Sequence, residues 1–141
     1  MGSVRKPGRP KLSRLSTLFI IDDEKEQLIV RKMLLENAGY RVLAADSGRE
    51  GLKVFRSSDD VDLVIVDYWM GEMKGLAVAA EIKRTRPYVP VAIFSAFRAL
   101  PDEALGTADA WLVKGEIEPH ELLQNVARLL NEKRHGSKPS T

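Results

Sequence analysis

V-D-L-V-I-V-D-Y, at residues 61–68, is a short apolar run that ends on a carboxylate. Its centre, residues 63–66, is uninterrupted and mostly β-branched, which is typical of a strand covered on both faces inside a parallel sheet. Asp67 follows directly, at the carboxyl end of this predicted strand. Ligands of an open parallel sheet bind beyond the carboxyl ends of the strands, so Asp67 is a candidate site residue.

Three other apolar segments of strand length also end on polar residues. They are residues 17–21, followed by Asp22 and Asp23, residues 89–94, followed by Ser95, and residues 110–113, followed by Lys114. If all four strands are parallel neighbours, these side chains gather at one rim of the sheet. The sequence therefore predicts a site that contains three carboxylates, a hydroxyl and an ammonium group.

This set of groups suits a phosphoryl group held with a divalent cation. Mg²⁺ prefers oxygen ligands, commonly one or two carboxylates with waters and phosphate oxygens. A carboxylate such as Asp67 can act as a nucleophile and form an acyl phosphate. The charge on the phosphoryl oxygens then needs Mg²⁺, Ser95 and Lys114 around it. Taken singly, a strand-end Asp is usually a turn or cap residue, so the ordered combination carries the prediction.

At these residues the sequence resembles the receiver domain of two-component response regulators, over about residues 15–133. The resemblance implies that Asp67 is the phosphoacceptor. It also implies that Asp23, Asp67 and the backbone carbonyl of Trp69 bind Mg²⁺, while Asp22 assists through water. The phosphoryl group would come from a sensor histidine kinase or a histidine phosphotransfer protein.

The resemblance assigns roles to the other rim residues as well. Ser95 would hydrogen-bond a phosphoryl oxygen, and Lys114 would pair with it. Trp111 falls where the family carries a rotating aromatic switch, and Trp69 and Phe97 flank the path by which water attacks the acyl phosphate. The chain would then be a signalling domain that assists its own phosphotransfer and dephosphorylation, and not a turnover enzyme.

The predicted helices alternate with the strands. They cover residues 24–38, a segment after the Ser47 to Glu50 capping box, residues 76–85, a short helix after Pro101, and a last helix from Pro119. A second strand is expected at residues 40–44. With right-handed crossovers this order predicts an α/β, flavodoxin-like, doubly wound five-stranded parallel sheet, in the order 2-1-3-4-5, with helices on both faces.

Apolar spacing predicts which helix faces are buried. In the first helix the expected stripe is Val30, Leu34 and Ala38, widened by Leu28 and Leu35. In the third, the alanines at 77, 79 and 80 suggest close packing on the sheet. Leu52 and Phe55 should face inward in the second helix, as should Leu122, Val126, Leu129 and Leu130 in the last.

The chain departs from the family pattern in four respects. Gly71 replaces a proline in the loop after the acceptor, and Lys74 stands where an acidic or amide residue is common. Gly115 replaces the proline after the lysine; this predicts a trans bond and leaves the direction of Lys114 open. The segment between Ser95 and Lys114 is shorter by about one helical turn, so we expect the fourth helix to be reduced.

The composition describes one ordinary globular domain of 141 residues, with 44% apolar and 30% charged residues. No cysteine is present, which excludes disulfides and thiolate metal sites. The apolar runs are no longer than a strand and the start lacks the apolar centre of a signal peptide, so a cytoplasmic location without membrane contact is expected.

Residues 1–16 differ from the rest, because they hold five basic residues and no acid. The remainder has 17 basic against 20 acidic residues, so the positive charge belongs to this segment. We predict a flexible basic tail at residues 1–16, a receiver domain at 17–133 and a second flexible tail at 134–141. Nucleic acid is not an expected partner, except through the tail residues Arg5, Lys6, Arg9 and Lys11.

Two alternative functions remain open at this point. A metal-dependent aspartyl phosphatase of the haloacid dehalogenase type also uses a strand-end aspartate, but it needs a second acid two residues later, where this chain has Trp69. A receiver-like binding module without phosphorylation is the other alternative. A phosphoryl-donor assay separates the three functions, because they give stable label, turnover or no reaction.

Overall fold

The computed structural model describes residues 15–71, 73–99, 101–104 and 106–134. Its centre is a five-stranded sheet in which every pairing is parallel and the order is β2-β1-β3-β4-β5. The strands are β1 (Thr17–Ile21), β2 (Arg41–Ala45), β3 (Leu63–Asp67), β4 (Val91–Ser95) and β5 (Ala110–Val113). The predicted fold class and strand order are confirmed, with β2 and β4 starting slightly later than expected.

Four α-helices cover the sheet, two on each face. They are α1 (Lys25–Asn37), α2 (Gly48–Arg56), α3 (Gly75–Thr85) and α4 (Pro119–Arg134). Residues of α2 and α3 pack with Phe19, Val64 and Val66 in one core cluster. Those of α1 and α4 pack with Leu18, Leu63 and Ile65 in the other. Alternate residues of β3 thus point to opposite faces, which is why its apolar run is continuous.

The connection between β4 and β5 differs most from the expected alternation. Among its described residues only a 3-10 turn forms, at Asp102–Ala104. The expected fourth helix is therefore shorter than predicted. Pro101 stands immediately before the turn, and Gly106 follows with a positive φ of 82°, a conformation that ends helical geometry. This leaves four α-helices among the described residues.

The predicted apolar stripe of α1 was partly wrong. Leu28 and Leu35 are buried as expected, but Val30 is 62% exposed and Ala38 is also exposed. The half-buried positions between the two leucines include Arg31, which lies on the inward face. Counting apolar residues alone missed this face, because one of its members is charged.

The other helices follow the predicted pattern more closely. The Ser47 hydroxyl accepts a hydrogen bond from the Glu50 N–H at 3.1 Å, so α2 begins at the expected cap. Phe55 is fully buried, and α4 buries all four predicted residues. In α3, only Ala79 of the three alanines is buried, and Leu76, Val78 and Ile82 are the other apolar residues of this helix that are buried in the core.

Residues 1–14 and 135–141 lie outside the described residues. The tail boundaries, and any role of Arg5, Lys6, Arg9 and Lys11, stay predictions. Across the described part of the chain, none of the helices combines the length and the apolar character that a membrane crossing requires.

Candidate functional site

The order of the sheet brings the predicted carboxylates together. β1 and β3 are neighbours, with Ile21 paired to Val66, so Asp22 and Asp67 stand at the same edge. One carboxylate oxygen from each of Asp22, Asp23 and Asp67 lies within 4.8 Å of the other two. Asp22 and Asp67 are buried, whereas Asp23 is exposed at the rim. The cluster is therefore anchored inside the domain and reachable from solvent.

Asp22 is held by the protein through both of its oxygens. Its Oδ1 accepts a hydrogen bond from the Glu24 N–H at 2.9 Å, just before α1 begins. Its Oδ2 accepts one from Arg31 Nη1 at 2.6 Å. A buried carboxylate needs such partners, because an unpaired charge away from water is costly.

Lys114 completes the charged part of the site. Its Nζ contacts Asp67 Oδ1, and it lies 3.9 Å from Asp22 Oδ2 and 4.0 Å from Glu24 Oε1. The Lys114 N–H donates to the Ser95 carbonyl at 2.7 Å, which joins the ends of β4 and β5. The described peptide bonds are all trans, as predicted for Gly115, and Lys114 still points at Asp67.

Burial raises the pKa of Asp67 above its ordinary value of 3.8. The hydrogen bond from Lys114 acts against this effect, the negative charge of Asp22 adds to it, and the positive charges of Lys114 and Arg31 oppose it. The sum of these effects leaves the pKa raised. Asp67 must be ionised to act as a nucleophile. A further cation at the site would stabilise this ionised form.

Ser95 lies at the end of β4 and is buried. Its Oγ accepts a hydrogen bond from the Phe97 N–H at 2.9 Å. A hydroxyl that accepts one bond can still donate its own proton, so Ser95 remains able to serve as a donor to an anionic oxygen.

Two aromatic side chains stand at the mouth of the site. Trp69 is 61% and Phe97 58% exposed. Both line a cavity of about 460 Å³ that also contacts Asp67, Ser95 and Lys114. The role of Trp69 and Phe97 in flanking the path of an attacking water, which the resemblance implied, stays a prediction.

Trp111 is half-buried and tied to the loop after β4. Its Nε1–H donates to the Phe97 carbonyl at 2.9 Å, and its ring meets the Tyr68 ring edge-on with centroids 5.4 Å apart. The predicted rotation of Trp111 stays a prediction. A rotation that carries Nε1 away from this position would break the hydrogen bond to the Phe97 carbonyl.

Two residues that support the site were not predicted from the sequence. Arg31 reaches from α1 to Asp22, and its position between Leu28 and Leu35 was the signal that could have shown it. Gly75, at the start of α3, packs against the backbone of Asp67 and donates its N–H to the Tyr68 carbonyl at 2.8 Å. No sequence pattern predicts the contact of Gly75 with Asp67, because it depends on how the loop between β3 and α3 folds.

The donor set fits Mg²⁺. The clustered side chains offer carboxylate oxygens, which hard cations prefer, and the described part of the site has no imidazole or thiolate that would favour a softer metal. Asp23 and Asp67, with the backbone carbonyl of Trp69, are the expected direct ligands, and Asp22 is the expected partner of a metal-bound water.

A sequence model of the family described as "Response regulator receiver domain" matches residues 18–127. Among individual relatives, the transcriptional regulatory protein GlrR of Escherichia coli is 40% identical over 90 residues, which is 64% of this chain and 20% of that protein. The response regulator SaeR of Staphylococcus aureus is 29% identical over 120 residues, covering 82% of this chain and 51% of SaeR. The chain thus spans between a fifth and a half of these relatives.

Solved structures agree in fold. A response regulator receiver domain protein from Clostridium thermocellum has a TM-score of 0.78 and 31% identity, covering 86% of this chain and 98% of the other. The response regulator TrrA of Thermotoga maritima, solved in complex with Mg²⁺ and BeF, has a TM-score of 0.76 and 30% identity, covering 82% and 99%. With the family match across most of the domain and the same sheet order, this chain belongs to the response regulator receiver domain family.

Proposed function

We propose that Asp67 accepts a phosphoryl group from the phosphohistidine of a sensor histidine kinase or a histidine phosphotransfer protein. The observation that carries this proposal is the contact of Lys114 Nζ with Asp67 Oδ1, beside Asp22 and Asp23 and next to an open cavity. A buried carboxylate that faces a cavity and is paired with one ammonium group is suited to accept a group there.

The transfer is a displacement at phosphorus. An oxygen of Asp67 forms the new O–P bond while the P–N bond to the donor imidazole breaks, and the imidazole nitrogen keeps the electron pair and takes up a proton. Lys114 pairs with a phosphoryl oxygen, and Ser95 donates its hydroxyl proton to another. A bound Mg²⁺ would neutralise part of the phosphoryl charge.

The proposed role is signalling and not turnover. Asp67 is 4% exposed, so a phosphoryl group attached to it has neighbours on several sides, including the hydroxyl of Ser95. A change at Ser95 would reach Phe97 through their hydrogen bond, and Trp111 through the Phe97 carbonyl. This connected path is where we place the conformational response, and kinases and effector domains are the proposed partners before and after it.

The first prediction tests phosphoryl transfer itself. With Mg²⁺ and a radiolabelled phosphohistidine donor or small acyl phosphate, the protein should take up label that is stable in acid and lost in base. Asp67→Asn should take up none, because an amide oxygen is a poor nucleophile. Asp59→Asn, a change at a fully exposed aspartate, should behave like the original protein. Continuous phosphate release would favour a phosphatase, and no reaction with any donor a binding module.

The second prediction concerns the lifetime of the acyl phosphate. Trp69 and Phe97 line the cavity and neither ring can position an attacking water, so we expect slow hydrolysis. Trp69→Asn and Phe97→Glu should each speed the loss of label by a few-fold or more, because their polar groups can orient water in line with the leaving oxygen.

The control for this experiment is Tyr88→Asn, since Tyr88 is an exposed aromatic residue that does not line the cavity. Loss of label is followed by quenched time points on purified phosphorylated protein. If Trp69→Asn and Phe97→Glu both decay at the original rate, the aromatic residues do not exclude water. They would then be better explained as a partner-docking patch, since exposed aromatics are common interface anchors.

A further inference from the structure

Arg31 places a second cation at the acidic cluster, in addition to Lys114. Its side chain is 12% exposed, and its Nη1 lies 2.6 Å from Asp22 Oδ2. The guanidinium carbon stands 4.3 Å from the centre of the Phe94 ring, so the group is enclosed between α1 and the sheet. Burying a guanidinium is costly unless it is paired, and here an ion pair and an aromatic face offset that cost.

The position of Arg31 affects what the carboxylates can offer to a metal. Asp22 Oδ2 faces Arg31, and its Oδ1 accepts the Glu24 N–H, so each oxygen already has a protein partner. The positive charge of Arg31 also favours the ionised form of the Asp67 carboxylate. A divalent cation that enters the cluster therefore meets a carboxylate that is already paired, and a fixed positive charge behind it.

We propose that Arg31 is a positioning residue that competes with Mg²⁺ for Asp22 and thereby sets the Mg²⁺ affinity of the domain. The inference rests on the metal site of the proposed function. Without metal, Arg31 offsets the repulsion among the three carboxylates and holds Asp22 in one orientation. With metal, it keeps Asp22 hydrogen-bonded to the protein, which favours contact through a water over direct ligation, and it weakens binding by charge repulsion.

The third prediction follows from this competition. Arg31→Met keeps the unbranched stem and removes the charge, so Mg²⁺ should bind about tenfold more tightly than to the original protein. The same variant should melt at a lower temperature in EDTA, because Asp22 loses its buried partner, and Mg²⁺ should raise its Tm by more than it raises that of the original protein. Binding is measured by titration calorimetry and stability by thermal unfolding.

The matched control is Lys32→Met, the next residue on α1, whose side chain is 40% exposed and pairs with Glu36. It should leave the Mg²⁺ affinity unchanged. A merely structural role for Arg31 would loosen the site and weaken Mg²⁺ binding, so an affinity for Arg31→Met that is equal to or below the original overturns the proposal. Should Arg31→Met fail to fold, Arg31→Lys replaces it, with a smaller gain in affinity expected and any loss contradicting the inference.

A double-mutant comparison tests whether Arg31 acts through Asp22. In an Asp22→Asn background the contested carboxylate is gone, so Arg31→Met should change the Mg²⁺ affinity far less than tenfold. A full tenfold gain in that background would overturn competition for Asp22. A wrong metal site would give a different result. In that case the original protein would show no Mg²⁺ binding that is lost in the Asp23→Asn variant.

Discussion

Gly75→Ala is expected to lower the free energy of unfolding by about 3 kcal/mol or more. A Cβ atom at this position would lie 2.9 Å from the Asp67 carbonyl carbon and still closer to its oxygen. These are backbone atoms at the end of β3, so they cannot rotate away as a side chain would. Either α3 moves off the sheet or the end of β3 shifts, and both displace Asp67, so phosphoryl uptake should fall as well.

Gly48→Ala is the matched control, because Gly48 is the first residue of α2 just as Gly75 is the first of α3. Its added Cβ would meet the Met73 Sδ at 2.9 Å, and also Val78. Met73 is flexible and can give way, whereas Val78 Cγ2, also at 2.9 Å, belongs to a buried branched side chain that can move only with its surroundings. Both contacts are with side-chain atoms and not with backbone, so we expect a smaller loss than for Gly75→Ala. Urea unfolding of both variants measures the difference. Equal stability of Gly75→Ala and the original protein would show that α3 does not pack against Asp67 as described.

Asp67→Asn is expected to stabilise the metal-free protein at neutral pH, by about 1–2 kcal/mol, because it removes a negative charge that is buried and that also lies beside Asp22. Repulsion at ~4 Å in an effective dielectric near 20 reaches ~4 kcal/mol for a pair, and Lys114 offsets part of it. After the change, Lys114 can still pair with Asp22 and Glu24, which lie 3.9 and 4.0 Å from its Nζ. The proposed acceptor is therefore expected to lower the stability of the metal-free protein.

The pH dependence of this effect follows from the raised pKa of Asp67. Below the ordinary value of 3.8 the carboxyl is protonated in both the folded and the unfolded chain, so the variant and the original protein should differ little. As the pH rises through the unfolded pKa toward the raised folded one, the folded protein binds more protons than the unfolded chain and loses stability. The advantage of Asp67→Asn should grow across that window and stay constant above it.

Thermal unfolding in EDTA at several pH values measures this difference. Asp59→Asn is the control, since Asp59 is fully exposed and does not belong to the acidic cluster. An advantage of Asp67→Asn that shrinks as the pH rises, or a variant less stable than the original at pH 7, would contradict a net cost of burying the Asp67 charge beside Asp22. It would then follow that the Lys114 pair outweighs the cost of burying the carboxylate.

The local sequence pattern was sufficient to predict the strands and the residues at the rim of the sheet. β3 is buried on both faces, so it had to be apolar at every position, and the first polar residue after it had to mark the carboxyl end of the strand. The same reasoning placed Asp22, Ser95 and Lys114, because parallel strands end at a shared edge. One pattern per strand therefore predicted both the sheet and the residues at its rim.

Other features of the structure depend on tertiary contacts, which the sequence pattern of a single element does not contain. The inward face of α1 includes Arg31, whose partner Asp22 follows a different element, and the reduced connection between β4 and β5 depends on backbone turns. The need for glycine at position 75 comes from the close approach of α3 to the Asp67 carbonyl. Periodicity reports which residues avoid water within one element, whereas a buried ion pair or a backbone contact joins two elements, and its geometry exists only once they are packed together.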